Sequence, residues 1–405
     1  MSDLQLRRNI NVLYAFSFCW LAMVIIPVIV PFFASKGLSL ADVFILQSIF
    51  AFAVVVCEVP SGYLADMIGR RNALILGALF HGIGFSILCF ADDFFGLVLF
   101  EVTVGLGMSL LSGSDLSLLY DSQLALRLSP SEQTRGIAKL RFVKSMAEGT
   151  AALLAAALLL WSFDLIIYAN ALIAWLPLVL SFQLVEAPYQ RMAKETPGAN
   201  FKRILMHLFY QDSLLRITTL ALTFYGLSTF YVVWLIQPYW EEYGIPLALF
   251  GVLWAAKNFV VAIAARFCAP LEEKYGPAPI LVAVGVLPVI GYFGMAMNGG
   301  LMGILLAFSF YISRGFHQVI LTDAFNKRVP SEFRATANSL TGFLFRLTFI
   351  VTGPLVGYLY EWQGMMVTLY VLGAACVLLL FVLLRPLIRA VNASMDEATP
   401  DTAAL

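Results

Sequence analysis

The sequence predicts an all-α membrane protein with twelve transmembrane helices in two six-helix pseudo-symmetric bundles. Three observations predict it: composition, the spacing of apolar runs, and the placement of Lys and Arg. Of 405 residues, 61% are hydrophobic and 12% charged, against roughly 25% charged in a soluble domain, and mean hydropathy is +0.87. Lipid must be the solvent of such a chain. Formal net charge is zero, so no basic field points to a nucleic-acid partner.

A helix crossing the hydrocarbon layer needs roughly 20 mostly apolar residues. On that ruler the first half gives spans near 10–33, 42–64, 73–91, 94–118, 138–160 and 165–185. The second half gives spans near 213–239, 247–270, 278–297, 301–322, 335–358 and 364–385. The first run, Ile10 to Phe33, follows Arg7 and Arg8. At about 24 residues it exceeds the roughly 7 to 15 of a cleaved signal's apolar core, so it reads as a retained span. Its Pro27 and Pro31 are tolerable where neighbouring helices satisfy the freed carbonyls. Residues 1–185 and 213–388 are thus expected as the two bundles. The polar stretch 186–212 reads as a cytoplasmic linker ending in an amphipathic helix near 201–209, and 389–405 as a cytoplasmic tail.

Loop charges set the orientation. A cytoplasmic N-terminus puts Arg7, Arg8, Arg70, Arg71, Arg127, Arg135, Lys139, Lys274, Lys327, Arg328, Arg385 and Arg389, among others, on the inner side. Only Lys36 then lies outside, where the loops carry Asp42, Asp92, Asp93, Asp164, Glu241, Glu242 and Glu361. Both termini are expected in the cytoplasm, which requires an even number of spans. An internal repeat supports the count. Pro130-Ser131-Glu132 and Pro330-Ser331-Glu332 stand 200 positions apart, each before a basic loop, and Leu64 to Gly69 answers Leu271 to Gly276. Two parallel repeats of six spans place a substrate near the midplane between the halves.

Cys19, Cys57, Cys89, Cys268 and Cys376 lie in apolar runs without CxxC or His at ligand spacing, and read as packed thiols. No metal or cofactor is expected. The absence of GxxxxGK[ST], HExxH and GxSxG motifs speaks against an ATP-driven pump and against an intramembrane enzyme.

Gly62 to Arg71, GYLADMIGRR, resembles the signature loop between helices 2 and 3 of the major facilitator superfamily, and the topology resembles that family over essentially the whole chain. Ser112 to Ser122, SGSDLSLLYDS, is similar to the end of helix 4 in a bacterial group of the same superfamily, which implies a bacterial inner membrane. By position, the resemblance implies that Gly62 lets helices approach closely and that Asp66 faces the positive end of helix 11. It also implies that Arg70 pairs with Asp121. Gly62, Asp66, Gly69, Arg70 and Asp121 would together latch the outward-facing state. The competing reading, basic residues that only fix topology, stands most simply for Arg71. Two departures leave the direction of transport open: Glu101 replaces the helix-4 Arg of many drug/proton antiporters, and Glu148-Gly149-Thr150-Ala151 replaces the antiporter Gly-Pro of helix 5. A Gly353-Pro354 pair stands in helix 11 instead.

Glu58, Glu101, Asp115, Lys144, Glu148, Lys257, Arg314 and Arg346 fall inside expected spans. Each costs about 2.5 to 3.5 kcal/mol at a helix centre, so each must face protein, water or a partner. Spans 3, 6, 9 and 12 carry none, and these are the lipid-facing helices of the family fold. The signs segregate, with carboxylates mostly in the first half and Lys257, Arg314 and Arg346 in the second. A cavity with an acidic and a basic wall suits a small amphipathic anionic or zwitterionic solute, because Arg holds a carboxylate bidentately. Glu101, Asp115, Tyr225, Tyr231, Gln237, Lys257, Arg314 and Arg346 are the candidate substrate contacts. Internal salt bridges are the competing reading, with Lys144 and Glu148 four apart on one helix face.

Glu58, Asp115, Glu148 and His317 are the proton-coupling candidates, since carboxyls and imidazoles form the relays of membrane carriers. Structural roles compete for Glu58 and His317. His81 is expected on a lipid-facing helix, and Tyr239 and Trp240 in the outer interfacial belt. The sequence thus reads as a monomeric, proton-coupled secondary transporter whose partners are a small solute, protons and lipid. A non-transporting membrane receptor or scaffold is the alternative, and solute counterflow separates the two.

Overall fold

In lipid, a spanning chain must satisfy its backbone groups internally, and the computed structural model of the protein does so with helices alone. It describes residues 2–188, 212–329 and 334–398, without the side chains of 59–66, 130, 134, 334–336 and 393–398, and contains no strand among them. The expected amphipathic linker helix, the Pro330-Ser331-Glu332 repeat, the end of the tail, the packing at Gly62 and the side chain of Asp66 lie outside what is described.

The helices are α1 (Asp3–Leu21), α2 (Ile29–Ser35), α3 (Leu40–Ile68), α4 (Arg70–Leu88), α5 (Phe94–Leu111), α6 (Ser114–Ala125), α7 (Pro130–Leu158) and α8 (Phe163–Ser181). They continue with α9 (Ser213–Glu242), α10 (Leu247–Tyr275), α11 (Pro277–Met297), α12 (Gly300–Arg328), α13 (Arg334–Leu379) and α14 (Arg385–Ala398). Polar caps start many of them. The Ser2 and Ser129 hydroxyls each accept a backbone N–H three residues on, while Gln5 and Glu132 reach back to complete capping boxes. Asp93, Ser162 and Asp212 cap α5, α8 and α9 by accepting backbone N–H groups of the first turn.

Two expected spans are not single helices. The first is broken by a 3₁₀ turn, Ile26–Val28, at Pro27, whose ring removes a donor from the ladder. Asn170 of α8 repairs the break by accepting the Ile25 N–H at 3.1 Å. The fourth is split into α5 and α6 at Gly113, which has φ 80°. Space around Gly113 is open, with no heavy atom within 4 Å of an added Cβ. Gly113→Ala therefore meets only the backbone penalty of the left-handed region, about 1–2 kcal/mol. A lower melting temperature is expected for the purified variant. Gly149→Ala, also in open space but inside α7, should leave the melting temperature unchanged or raise it.

The eleventh and twelfth spans are joined in one apolar stretch, Ala337–Asn392, of 56 residues. Straight, it would run about 84 Å, more than twice the hydrocarbon thickness. Gly364 interrupts it with φ 76° and ψ 177°. By length and composition, ten stretches of the described chain can cross a membrane. Helix α7 is not among them, because Arg141, Lys144 and Glu148 interrupt its apolar part.

The chain divides into two compact units. One comprises Met1–Ala193, Ile245–Ala256 and Ile350–Gly357, the other Lys194–Gly244, Lys257–Phe349 and Tyr358–Leu405. In the first, α1 packs on α6, α7 and α8 around Leu13, Phe16, Trp20, Leu74, Leu118 and Leu140. In the second, α12 packs on α9 and α11, around Tyr225, Cys268, Val284, Ile320 and Leu384. Large apolar side chains also point outward. Phe90 and Trp362 are 81% and 82% exposed, and Leu165, Tyr168, Leu172, Leu176 and Val179 make an exposed apolar stripe along α8. Such a surface matches acyl chains, not water.

His81 of α4 is buried in the first unit, its ring stacked on Trp20 at 4.2 Å and edge-on to Phe85 at 4.9 Å. The expectation of an outer interfacial belt needs correction. Tyr239 and Trp240 are also buried. The Tyr239 hydroxyl lies 3.2 Å from the Met295 carbonyl and 3.0 Å from that of Asn298, so it closes the end of α11 instead of joining an interfacial belt. All five cysteines are free.

Candidate functional site

One end of the first unit gathers Arg70 and Arg71 of the GYLADMIGRR stretch with Asp121 and Glu186. Gly69 turns the chain with φ 93° just before α4. The backbone N–H groups of Arg70 and Arg71, which have no partner within the helix, then donate to the two carboxylate oxygens of Glu186, at 2.9 and 2.7 Å. This is an anion on a helix N-terminus, favoured by both hydrogen bonding and the helix dipole. A side chain at position 69 would adopt a strained φ and press its Cβ on the Glu186 carboxylate. The Arg70 guanidinium is ion-paired with Asp121 near the end of α6. Arg71 binds the carbonyls of Leu184, at 2.6 Å, and Phe182, at 3.4 Å, so it has a packing role beyond charge. Asn9 adds a link from α1, donating to Ser122 and to the Val185 carbonyl and accepting the Val185 N–H.

Deeper in the unit, the break at Gly113 carries a second polar group. Asp115 in the first turn of α6 is buried and lies 2.5 Å from Lys144 of α7. On the other side of the break, Ser112 donates to Glu58 of α3 at 3.4 Å. Glu148 is exposed on α7. Glu101 of α5 is buried and accepts a 2.6 Å hydrogen bond from Gln47 of α3.

The second unit carries the cationic candidates. Lys257 is only 4% exposed, and its ammonium stands 5.6 Å from the centroid of the Tyr311 ring, within cation–π range. Tyr311, Arg314 and His317 follow at three-residue spacing along α12, on one side of the helix. His317 Nε2 lies 3.0 Å from the Leu222 carbonyl, which can only accept, so that nitrogen carries the hydrogen. Neither the Tyr311 hydroxyl nor His317 Nδ1 has a hydrogen-bond partner among the described residues. Both atoms are buried polar groups of the kind that need an explanation.

Aromatic rings complete this region. Phe230 of α9 is edge-on to Phe345 at 5.3 Å and to Phe349 at 5.0 Å, and Tyr231 stacks on Phe349 at 6.1 Å. Half-buried Arg346 belongs to the same stretch of α13. Gln237 and Tyr225 are fully buried, and Tyr225 lies within the apolar core.

The structure thus brings together Arg70 with Asp121, Asp115 with Lys144, and Lys257 with Tyr311. Sequence reasoning did not single out Gln47 or Glu186. Glu186 had a readable signal, an acid directly after the sixth apolar run. Gln47, an uncharged residue in an apolar helix, had its amide alone.

Comparison with known proteins bears on the family and the fold. Residues 12–353 match the Major Facilitator Superfamily. A stretch of 169 residues is 30% identical to an uncharacterized MFS-type transporter of Salmonella typhimurium strain LT2, and the match spans 38% of this chain and 38% of that relative's length. Among solved structures, the nucleoside transporter NupG superposes with a TM-score of 0.73 at 13% identity, covering 95% of this chain and 99% of that one. An inward-facing, unoccupied bacterial homolog of the human lysosomal transporter Spinster gives 0.76 at 16% identity, covering all of both chains. A D-xylose-proton symporter gives 0.72 at 13% identity, over 94% and 98% of the two chains. At these identities the likeness to solved structures is one of fold. With the family match across most of its length and ten described stretches apolar enough to cross a membrane, the chain belongs to the Major Facilitator Superfamily and is a multi-pass membrane protein.

Proposed function

We propose that the protein is a proton-coupled secondary transporter that moves a small amphipathic organic anion or zwitterion by alternating access. The observation that carries this reading is Lys257, an ammonium buried inside an apolar helix with Tyr311 beside it and Arg314 and His317 next along α12. Ionisable groups at such depth mark substrate and ion pathways. In the second unit, Lys257, Arg314 and Arg346 are the proposed contacts for a solute's anionic group and Tyr231 and Gln237 for its polar remainder; in the first unit, Glu101 and Asp115 are the proposed contacts for an ammonium. Proton coupling would fall to Glu58, Asp115, Glu148 or His317, and the D-xylose-proton symporter is a precedent for proton coupling on this fold. Gly62, Asp66, Gly69, Arg70 and Asp121 would act as the conformational latch.

The same reading has twelve spans in two six-helix bundles, with both termini in the cytoplasm of a bacterial inner membrane. Gly364 would divide the last apolar stretch into two crossings, and α7 would cross despite its charges because Lys144 is paired with Asp115. Counterflow in proteoliposomes, run with panels of organic anions, zwitterions and cations, tests the proposal. Exchange of carboxylate-bearing solutes, accelerated by a pH gradient, is expected. Exchange confined to cations would refute the substrate class, indifference to the gradient would refute the coupling, and no exchange of any solute would favour a receptor or scaffold.

A further inference from the structure

A shallow groove of about 390 Å³ runs along the outside of α1 where it meets α8. Arg7, Arg8 and Asn11 are its polar lining, and Leu4, Val12, Ala15 and Leu180 its apolar lining. The order of these groups follows the membrane boundary: the two guanidiniums stand immediately before the apolar run that begins at Ile10, and Val12 and Ala15 follow them into the span. From Arg8 to Ala15 a helix rises about 10 Å, which is the depth of the upper part of an acyl chain.

The Arg8 guanidinium is tethered to the segment that follows α8. One of its nitrogens donates to Gln183 at 3.2 Å, and Gln183 belongs to the segment whose Phe182 and Leu184 carbonyls are bound by Arg71. A guanidinium has five N–H donors, so this contact leaves most of them for another acceptor. No carboxylate lines the groove. Asp3 lies one turn before Arg7 on α1. Glu132 of α7 also feels Arg7, but its carboxylate is engaged by the Ser129 N–H at 2.8 Å and the Ser129 hydroxyl at 2.7 Å. These bonds, with Arg135 and Arg7 adding attraction, hold its pKa below the usual range.

We propose that this groove is a binding site for one anionic phospholipid, with the phosphate on Arg7 and Arg8 and an acyl chain along Val12, Ala15 and Leu180. Charge complementarity selects the headgroup, and bidentate guanidinium–phosphate pairing fixes it. The apolar lining selects a lipid over a free phosphate. The site is separate from the proposed solute contacts and does not depend on what the protein transports.

The test uses the full chain, purified in mild detergent and offered equal amounts of phosphatidylglycerol and phosphatidylcholine with matched acyl chains. Lipids retained on the folded protein are counted by native mass spectrometry. Retention of phosphatidylglycerol over phosphatidylcholine is expected at about tenfold. Arg7→Gln/Arg8→Gln should remove most of that preference, Asp3→Asn should increase it, and Ala15→Phe, which fills the groove, should reduce retention of both lipids. Equal retention by the native chain, or an unchanged preference in the double Arg variant, would overturn the proposal. If the double Arg variant does not fold, Asp3→Asn and Ala15→Phe decide the matter, and no change in either one overturns it.

Discussion

Lys144→Met is expected to lower the melting temperature of the purified protein more than Asp115→Asn, and the double variant to recover most of the loss. The two partners of this ion pair are unequally buried: the Asp115 side chain is 6% accessible and that of Lys144 is 31%. Removing Lys144 strands a buried carboxylate, and breaking a buried pair in this way costs about 3–5 kcal/mol. Asp115 is in the first turn of α6 and accepts the Leu116 N–H at 2.7 Å, so the helix N-terminus offsets part of that cost, about 0.3–1 kcal/mol. Removing Asp115 instead leaves an ammonium that is already 31% accessible, on a flexible stem, with Glu148 one turn further along the same helix. In the double variant neither charge is left behind. Equal losses from the two single changes, or additive losses in the double, would show that the 2.5 Å contact is not a coupled pair.

How much of this was readable in the sequence depends on the kind of force involved. The apolar helices were legible because insertion in lipid is decided by mean composition over some twenty residues, which local detail does not upset. The helix breaks were not, for the same reason. Gly113 and Pro27 each sit inside an apolar run and hardly change its average, although Ser112-Gly113-Ser114-Asp115 carries the small and polar residues of a helix start. The pairing of Arg70 with Asp121 was expected from the family resemblance, and the structure brings those two side chains together. The partner of Lys144 was not: spacing on one helix pointed to Glu148, whereas the ion pair observed crosses from α7 to α6. Partner choice between helices depends on rotation and depth, and hydropathy encodes neither. Tyr239 and Trp240 show the same limit, because an amphipathic ring looks alike in sequence whether its polar atom meets a headgroup or lies buried among neighbouring helices.

The second large effect concerns Lys257, where function and architecture predict opposite signs. If its ammonium holds the solute, the binding state is optimised at the expense of the empty one. Lys257→Met should then keep or raise the melting temperature of the solute-free protein, since a buried cation costs about 2.5 kcal/mol or more in a span. The stabilisation by whichever organic anion raises the melting temperature of the native chain should fall by about tenfold or more in apparent affinity, about 1.4 kcal/mol. Lys257→Arg should retain part of the response, because charge is preserved while the compact ammonium geometry is lost. Tyr311→Phe separates the contributions further. Its hydroxyl has no partner among the described residues, so its removal should cost the solute-free protein little, yet it should weaken the anion response if that hydroxyl donates to the bound solute. If Lys257 instead holds the helices together, Lys257→Met loses several degrees of melting temperature and the anion response survives. The two quantities, stability without solute and the shift produced by it, therefore place Lys257 in the solute's path or in the scaffold by their signs alone.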